Sequence, residues 1–199
     1  ADGTSFASKV GELYAPSRDQ EKAKEYLATA LSELGCTVDD LSAHLSIDCG
    51  DSPTSIAEAS FYQEQWRQVL GIEVAVNSMI TKQGSQNRKT GNYVMSITGW
   101  GPDYNDPNTF LDMWVTDGGN NQTGFSNERY DELIDLAAKE TDLEKRESYF
   151  IECEQIIADQ LPIGPAFWRA PSYACSDKIK GGMHRSTFQD INAVYVKLS

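Results

Sequence analysis

The chain has 199 residues, and its 17 Lys and Arg against 30 Asp and Glu give a formal net charge of −13. At 40% hydrophobic and 24% charged residues it has the balance of a folded globular protein, which excludes disorder, collagen and a coiled coil. The length suits one domain that buries a core without metal or disulfide staples, and a pI near 4.5 argues against nucleic acid as a partner.

No apolar run approaches the roughly 18 residues that span a bilayer. Ala1 to Val10 lack the basic flank and apolar block of a signal peptide, which fits a cytoplasmic protein or a mature chain. Cys36, Cys49, Cys153 and Cys175 form no C-x2-C pair, and His44 and His184 are the only histidines to join them. Neither a metal nor a cofactor is expected on that pattern. The four thiols read as two disulfides or as small buried apolar residues; Cys153, on a helical apolar stripe, suits the second.

In chain order, a helix is predicted from about Ser17 to Leu34, with Ser17 and Gln20 as a capping box and Gly35 as its stop. Ala43, Leu45, Ile47 and Cys49 alternate with polar residues as a strand. Ser52-Pro53 opens a second helix with the stripe Ile56, Ala59, Trp66 and Leu70, ended by Gly71. Ile72, Val74 and Val76 form another strand, Lys82 to Asn92 a loop or weak helix, and Tyr93 to Thr98 a third strand.

Asp106-Pro107 can start a short helix within a turn-rich stretch, and a Gly/Asn loop follows from Thr116 to Gly124. A helix over Ser126 to Glu140 is expected to bury Tyr130, Leu133, Ile134 and Ala137. A Thr141/Glu144 capping box then opens a helix burying Phe150, Cys153, Ile156 and Ile157. Ile163 to Trp168, Ser172 to Cys175 and Val194 to Leu198 read as strands. Alternating helices and strands predict an α/β fold, a mixed sheet flanked by helices, with residues 1–199 as a single lobe and 181–199 as a tail.

There is no G-x-S-x-G elbow, no P-loop and no dinucleotide glycine fingerprint. Asp103, Asn105 and Asp106 fail as a calcium loop, because Asn108 stands where the turning Gly belongs and Trp114 where a bidentate Glu belongs. The crowding of Asp103, Asp106, Asp112 and Asp117 keeps a small acidic glycoside hydrolase as an alternative. The most informative string is Gly99-Trp100-Gly101-Pro102-Asp103-Tyr104-Asn105-Asp106-Pro107, a loop leaving a strand end, where open α/β sheets present ligand-binding groups. An indole three residues from a carboxylate offers an apolar wall beside an anion, which suits a ligand with an ammonium group. For Asp106 the helix-cap reading is the better one; for Trp100 and Asp103 a structural turn with a core tryptophan and a binding loop both stand.

Five segments carry a resemblance when taken in order. They are Asp19-x-Glu21-Lys22-Ala23-Lys24-x-x-Leu27 with Leu34-Gly35, then Trp66-x-x-Val69-Leu70-Gly71-Ile72-x-Val74. Gly99-Trp100-x-x-Asp103-Tyr104-x-Asp106-Pro107, Phe125-Ser126-Asn127 through Ile134, and Arg146 through Pro162 complete the set. Together they resemble the extracellular solute-binding proteins of family 5, the oligopeptide- and dipeptide-binding components of ABC importers.

The resemblance implies one lobe, the C-terminal one, of a two-lobed periplasmic-binding-protein-like fold that closes on its ligand. It implies that Asp103 receives a peptide α-ammonium group and that Trp100, with Gly101 and Tyr104 beside it, lines the pocket. It also implies a non-catalytic protein outside the cytoplasm, working with a membrane permease and with a first lobe absent from this sequence. In that compartment Cys36–Cys49 or Cys153–Cys175 can oxidise. Met95 to Thr98 bring no basic residue for a peptide carboxylate, and oligosaccharide or metal-chelate capture by the same fold stays an alternative.

Overall fold

The computed structural model describes residues 5–13, 19–168, 174–181, 184–185, 191–192 and 196–197. In chain order the helices are α1 (Phe6–Val10), α2 (Gln20–Leu34), α3 (Val38–Ser42), α4 (Pro53–Leu70), α5 (Thr81–Thr90), α6 (Asn108–Leu111), α7 (Glu128–Lys139) and α8 (Leu143–Gln160). The strands are β1 (Ser46–Gly50), β2 (Ala75–Met79), β3 (Met95–Ser96), β4 (His184–Arg185) and β5 (Ile191–Asn192). A 3-10 turn, Asp112–Trp114, follows α6. The α/β class read from the sequence is the one observed, with a parallel sheet and a short antiparallel pair. The chain folds as two compact units, residues 11–99 with 119–125, and residues 1–10 with 100–118 and 126–199.

The first of these units is built on the parallel sheet, in the order β2-β1-β3. Ser46 to Gly50 lie in register with Ala75 to Met79, and Ile47 and Asp48 with Met95 and Ser96. Successive side chains of β1 alternate between faces. Ile47 and Cys49 pack with Ala59 of α4, Ile72 and Val74 in one apolar cluster, and Leu27, Trp66 and Leu70 close around it. On the opposite face Asp48 is buried, accepting 3.2 Å hydrogen bonds from Asn77 Nδ2 of β2 and Asn87 Nδ2 of α5. Helices therefore cover both faces of β1, as parallel sheets require.

Several local expectations shift here. Ser17 lies outside the described residues, and Asp19 caps α2 by accepting from the Lys22 amide at 2.9 Å. A short helix, α3, stands ahead of β1, capped by a Thr37/Asp40 box; at five residues it is too brief to show an apolar period. β2 starts at Ala75 rather than Ile72; Ile72 and Val74 are core residues of the preceding segment. The polar stretch after Lys82 is the helix α5, and the expected strand over Tyr93 to Thr98 contracts to Met95–Ser96.

The other unit is centred on the α7–α8 hairpin. Tyr130, Leu133, Ile134 and Ala137, all four as predicted, are buried with Phe150, Cys153 and Ile157 of α8. Asn127 caps α7, and Asp142 rather than Thr141 caps α8, accepting from the Lys145 amide at 2.9 Å. The Tyr130 hydroxyl donates to the Leu111 carbonyl at 2.6 Å, which ties α6 to α7. Phe6 of α1 meets Phe150 edge-on, and Lys9 pairs with Glu147 at 2.6 Å. The strand expected over Ile163 to Trp168 is irregular chain. Of the two later strands expected, residues 172–173, 194–195 and 198 lie outside the described residues, and 174–175 and 196–197 are not in strands.

All four cysteines are free thiols, which corrects both pairings suggested by an oxidising compartment. Burial pushes the Cys153 thiol up to about 12, so it stays protonated at neutral pH, whereas Cys175 is exposed. Alkylation of the native protein with iodoacetamide at pH 8, read by mass spectrometry, is expected to label Cys175 and spare Cys153; equal labelling would contradict this packing. Leu133→Ala is expected to cost about 2–5 kcal/mol in urea unfolding, because Leu133 has no exposed surface and α7 and α8 cannot close over the void.

Candidate ligand-binding site

The loop Gly99 to Pro107 follows β3 and has little backbone pairing. Among the described residues, only the amides of Asp103 and Asp106 within Trp100 to Asp106 find a partner, the Thr109 hydroxyl at 2.9 Å and the Tyr104 carbonyl at 3.0 Å. Its form comes instead from the elements that grip it. Arg146 on the first turns of α8 makes a two-pronged pair with Asp106, Nη1 to Oδ2 at 2.7 Å and Nη2 to Oδ1 at 3.0 Å. The same guanidinium donates from Nε to the Ala137 carbonyl at the end of α7 and lies 4.6 Å from the Phe150 ring centroid. Its edges and a flat face are thus used, as a planar fork permits and an ammonium does not.

Asp106 Oδ1 also accepts from the Asn108 amide at 2.9 Å; the N-cap position itself falls on Pro107, one residue later than the Asp-Pro pair suggested, so the carboxylate ties the first residue of α6 to α8. Burial pushes this carboxyl up, but the Arg146 hydrogen bonds, the Asn108 amide and the guanidinium charge outweigh it and hold the carboxyl below its ordinary value of 3.8. Nothing in the sequence links Asp106 to Arg146, which lie far apart along the chain.

The residues expected at the site divide cleanly from these anchors. Trp100 is 41% exposed, so it is not a core tryptophan, and Tyr104 is 42% exposed. Gly101 is exposed, and a Cβ placed on it meets nothing within 4 Å. The Asp103 carboxylate is exposed and accepts no hydrogen bond from any described residue, although its own amide is held. The Tyr104 hydroxyl accepts from Asn108 Nδ2 at 2.8 Å and lies 3.5 Å from Asp112 Oδ2, which Asn108 Nδ2 also reaches at 3.1 Å. Burial raises the Asp112 carboxyl and the Asp103 charge adds to that, against hydrogen bonds from Tyr104 and Asn108. The loop thus presents an exposed indole, an exposed phenol and an unengaged anion, groups that can hold a cationic ligand.

Of the four carboxylates that raised glycoside cleavage, Asp106 is therefore taken up by Arg146. No group of three or more His, Cys, Asp or Glu among the described residues is placed to hold a metal ion, and no helix among them is long and apolar enough to cross a membrane. A polar hollow of ≈ 440 Å³ beside α5, lined by Asp48, Asn77 and Asn87, was not signalled in the sequence, where Asp48 is simply one of the polar residues of an alternating strand. A second, of ≈ 530 Å³, lies between α1 and the start of α8. Neither of these two includes Trp100 or Asp103.

The Asp106–Arg146 pair generates a pH-dependent expectation. Its folded carboxyl titrates below the unfolded value, so its contribution is complete above that value and is lost as pH falls through the folded one. About a quarter of each side chain meets water, at 26% and 28% exposure, which moderates the energy. Arg146→Met is expected to cost about 1–3 kcal/mol in urea unfolding at pH 7, with the penalty shrinking as the pH falls below the ordinary carboxylate range. A cost that is constant from pH 7 to pH 2 would assign the loss to packing on Phe150 alone.

Residues 2–122 match the model of the bacterial extracellular solute-binding proteins, family 5 Middle. The oligopeptide-binding protein OppA of Bacillus subtilis is 33% identical over 178 residues, covering 85% of this chain and 31% of that protein. The dipeptide-binding protein of Lactococcus lactis is 32% identical, covering 98% of this chain and 36% of that protein. The structure of Listeria monocytogenes OppA bound to peptide superposes with a TM-score of 0.81 at 28% identity, covering 98% of this chain and 36% of that one. The chain thus spans about a third of the length of these relatives. With more than half of its residues matched by the family model, it belongs to the bacterial extracellular solute-binding proteins of family 5, a family of binding components rather than enzymes.

Proposed function

We propose that this chain is the ligand-binding lobe of a peptide-capturing component of an ABC importer, with Asp103 as the acceptor of the peptide α-ammonium group and Trp100, Gly101 and Tyr104 as the adjoining wall. The observation that carries the reading is the state of Asp103: an exposed carboxylate without a hydrogen-bond donor among the described residues, three residues after an exposed indole, on a loop whose other aspartate is held by Arg146. Family membership and the peptide-binding names of the relatives support it.

An open carboxylate in water binds an ammonium group weakly, because both ions surrender hydration for one contact. Closure of a second lobe over the loop removes that water and makes the same contact strong, provided the ammonium is fully hydrogen-bonded. The surface around Asp103 is one jaw of such a clasp, and the other jaw belongs to a first lobe supplied by further sequence. The protein works outside the cytoplasm and hands its ligand to a membrane permease. No bond is made or broken in the ligand; the free energy of binding drives closure.

The test is calorimetry with tri-alanine on the two-lobed protein that contains this chain. Asp103→Ala is expected to weaken binding by about 2–5 kcal/mol, the scale for removing one partner of a desolvated charge pair. N-acetyl tri-alanine, which lacks the ammonium, should bind the wild type and the variant alike. An unchanged affinity for tri-alanine would remove Asp103 from the site.

A further inference from the structure

The Gly99 to Pro107 loop contains two glycines and hardly any backbone pairing, so the direction of the Asp103 side chain depends on whatever fixes its backbone. Among the described residues, one contact does so directly. The Asp103 amide donates to Thr109 Oγ1 at 2.9 Å, and Thr109 is 2% exposed within α6. A buried threonine is stiff at its first side-chain torsion, so its hydroxyl is a fixed point rather than a mobile one.

That fixed point is itself held from two sides. Tyr130 of α7 donates to the carbonyl of Leu111, two residues after Thr109. Arg146 of α8 grips Asp106, whose carboxylate and carbonyl accept from the amides of Asn108 and Thr109. The hairpin therefore sets α6, α6 sets the Thr109 hydroxyl, and the hydroxyl sets the Asp103 backbone. The chain of contacts ends at the one aspartate of the loop whose carboxylate is unengaged.

We propose that Thr109 is a positioning residue for ammonium recognition: its hydroxyl, by holding the Asp103 amide, keeps the carboxylate aimed at the ligand, and it touches no ligand itself. The proposal rests on the binding role of Asp103. A small misdirection of a charged group costs much of its interaction, because the ammonium must be met at hydrogen-bond distance once water is excluded. Threonine suits this place for a second reason, since its methyl fills buried space while its oxygen faces the loop. The two halves of the side chain thus have separable duties, the methyl in packing and the hydroxyl in recognition.

The experiment compares Thr109→Val, Thr109→Ser and Asp103→Asn in the two-lobed protein. It reads the ratio of affinities for tri-alanine and N-acetyl tri-alanine, together with the melting temperature without ligand. Thr109→Val keeps the packing and loses the acceptor, so the preference for the free amino terminus is expected to fall by about tenfold, the scale of one hydrogen bond. Thr109→Ser keeps the acceptor and loses the methyl, so it should melt earlier and yet retain the preference. Should Thr109→Val fail to fold, Thr109→Ala against Thr109→Ser isolates the hydroxyl in the same way.

A preference unchanged in Thr109→Val, or lost equally in Thr109→Ser, overturns the proposal. If Asp103→Asn abolishes the preference while Thr109→Val leaves it intact, only the role of Thr109 falls. If Asp103→Asn also leaves the preference intact, the assignment of Asp103 falls and this proposal falls with it.

Discussion

The pair between Asp106 and Arg146 is the constraint on which the candidate site depends. The loop that presents Trp100 and Asp103 has neither a sheet ladder nor a helix to hold it, and a segment of that kind loses conformational entropy without backbone hydrogen bonds in return. Its order is borrowed from the α7–α8 hairpin, where a well-packed apolar seam around Tyr130, Leu133 and Phe150 supplies the stability. Arg146 carries that rigidity outward: its fork takes Asp106, its Nε takes the end of α7, and its plane rests near Phe150. A single side chain thereby joins two helices and the loop.

Two aspartates three residues apart have opposite fates for this reason. The Asp106 carboxylate lies within reach of a guanidinium and the Asn108 amide and becomes structural. Asp103 has its backbone held and its carboxylate left to water. An anion kept free in a chain already carrying −13 is electrostatically unfavourable, and binding a cation relieves it. Burial is the main cause of the raised Asp112 carboxyl nearby, and the Asp103 charge adds to it. Openness and restraint are thus divided among residues that look alike in sequence.

The parallel sheet illustrates a different separation. Asp48 occupies a polar place in an alternating pattern, yet it is buried because α5 covers that face, and Asn77 and Asn87 satisfy it. The helix that covers it, α5, has one buried residue, Gly84, and few apolar positions, so its periodicity is faint. Its place is set by packing over the sheet rather than by an intrinsic amphipathic stripe.

The amino-acid order alone determined the elements whose signals are local. The glycines ending α2 and α4, the Ser52-Pro53 start and the four buried residues of α7 are all legible, because left-handed caps, a proline at a first helical turn and a 3.6-residue period act within a few residues. The Gly-Trp-x-x-Asp loop was legible as a place, through its ordered companions elsewhere in the chain. Tertiary structure decided what the loop's residues do. Whether a carboxylate is engaged or open depends on partners such as Arg146 and Thr109, and whether Asp48 is wet depends on a helix folding over it. Hydrogen bonds and burial are properties of neighbours in space, and strands as short as β3 form only where such neighbours hold them.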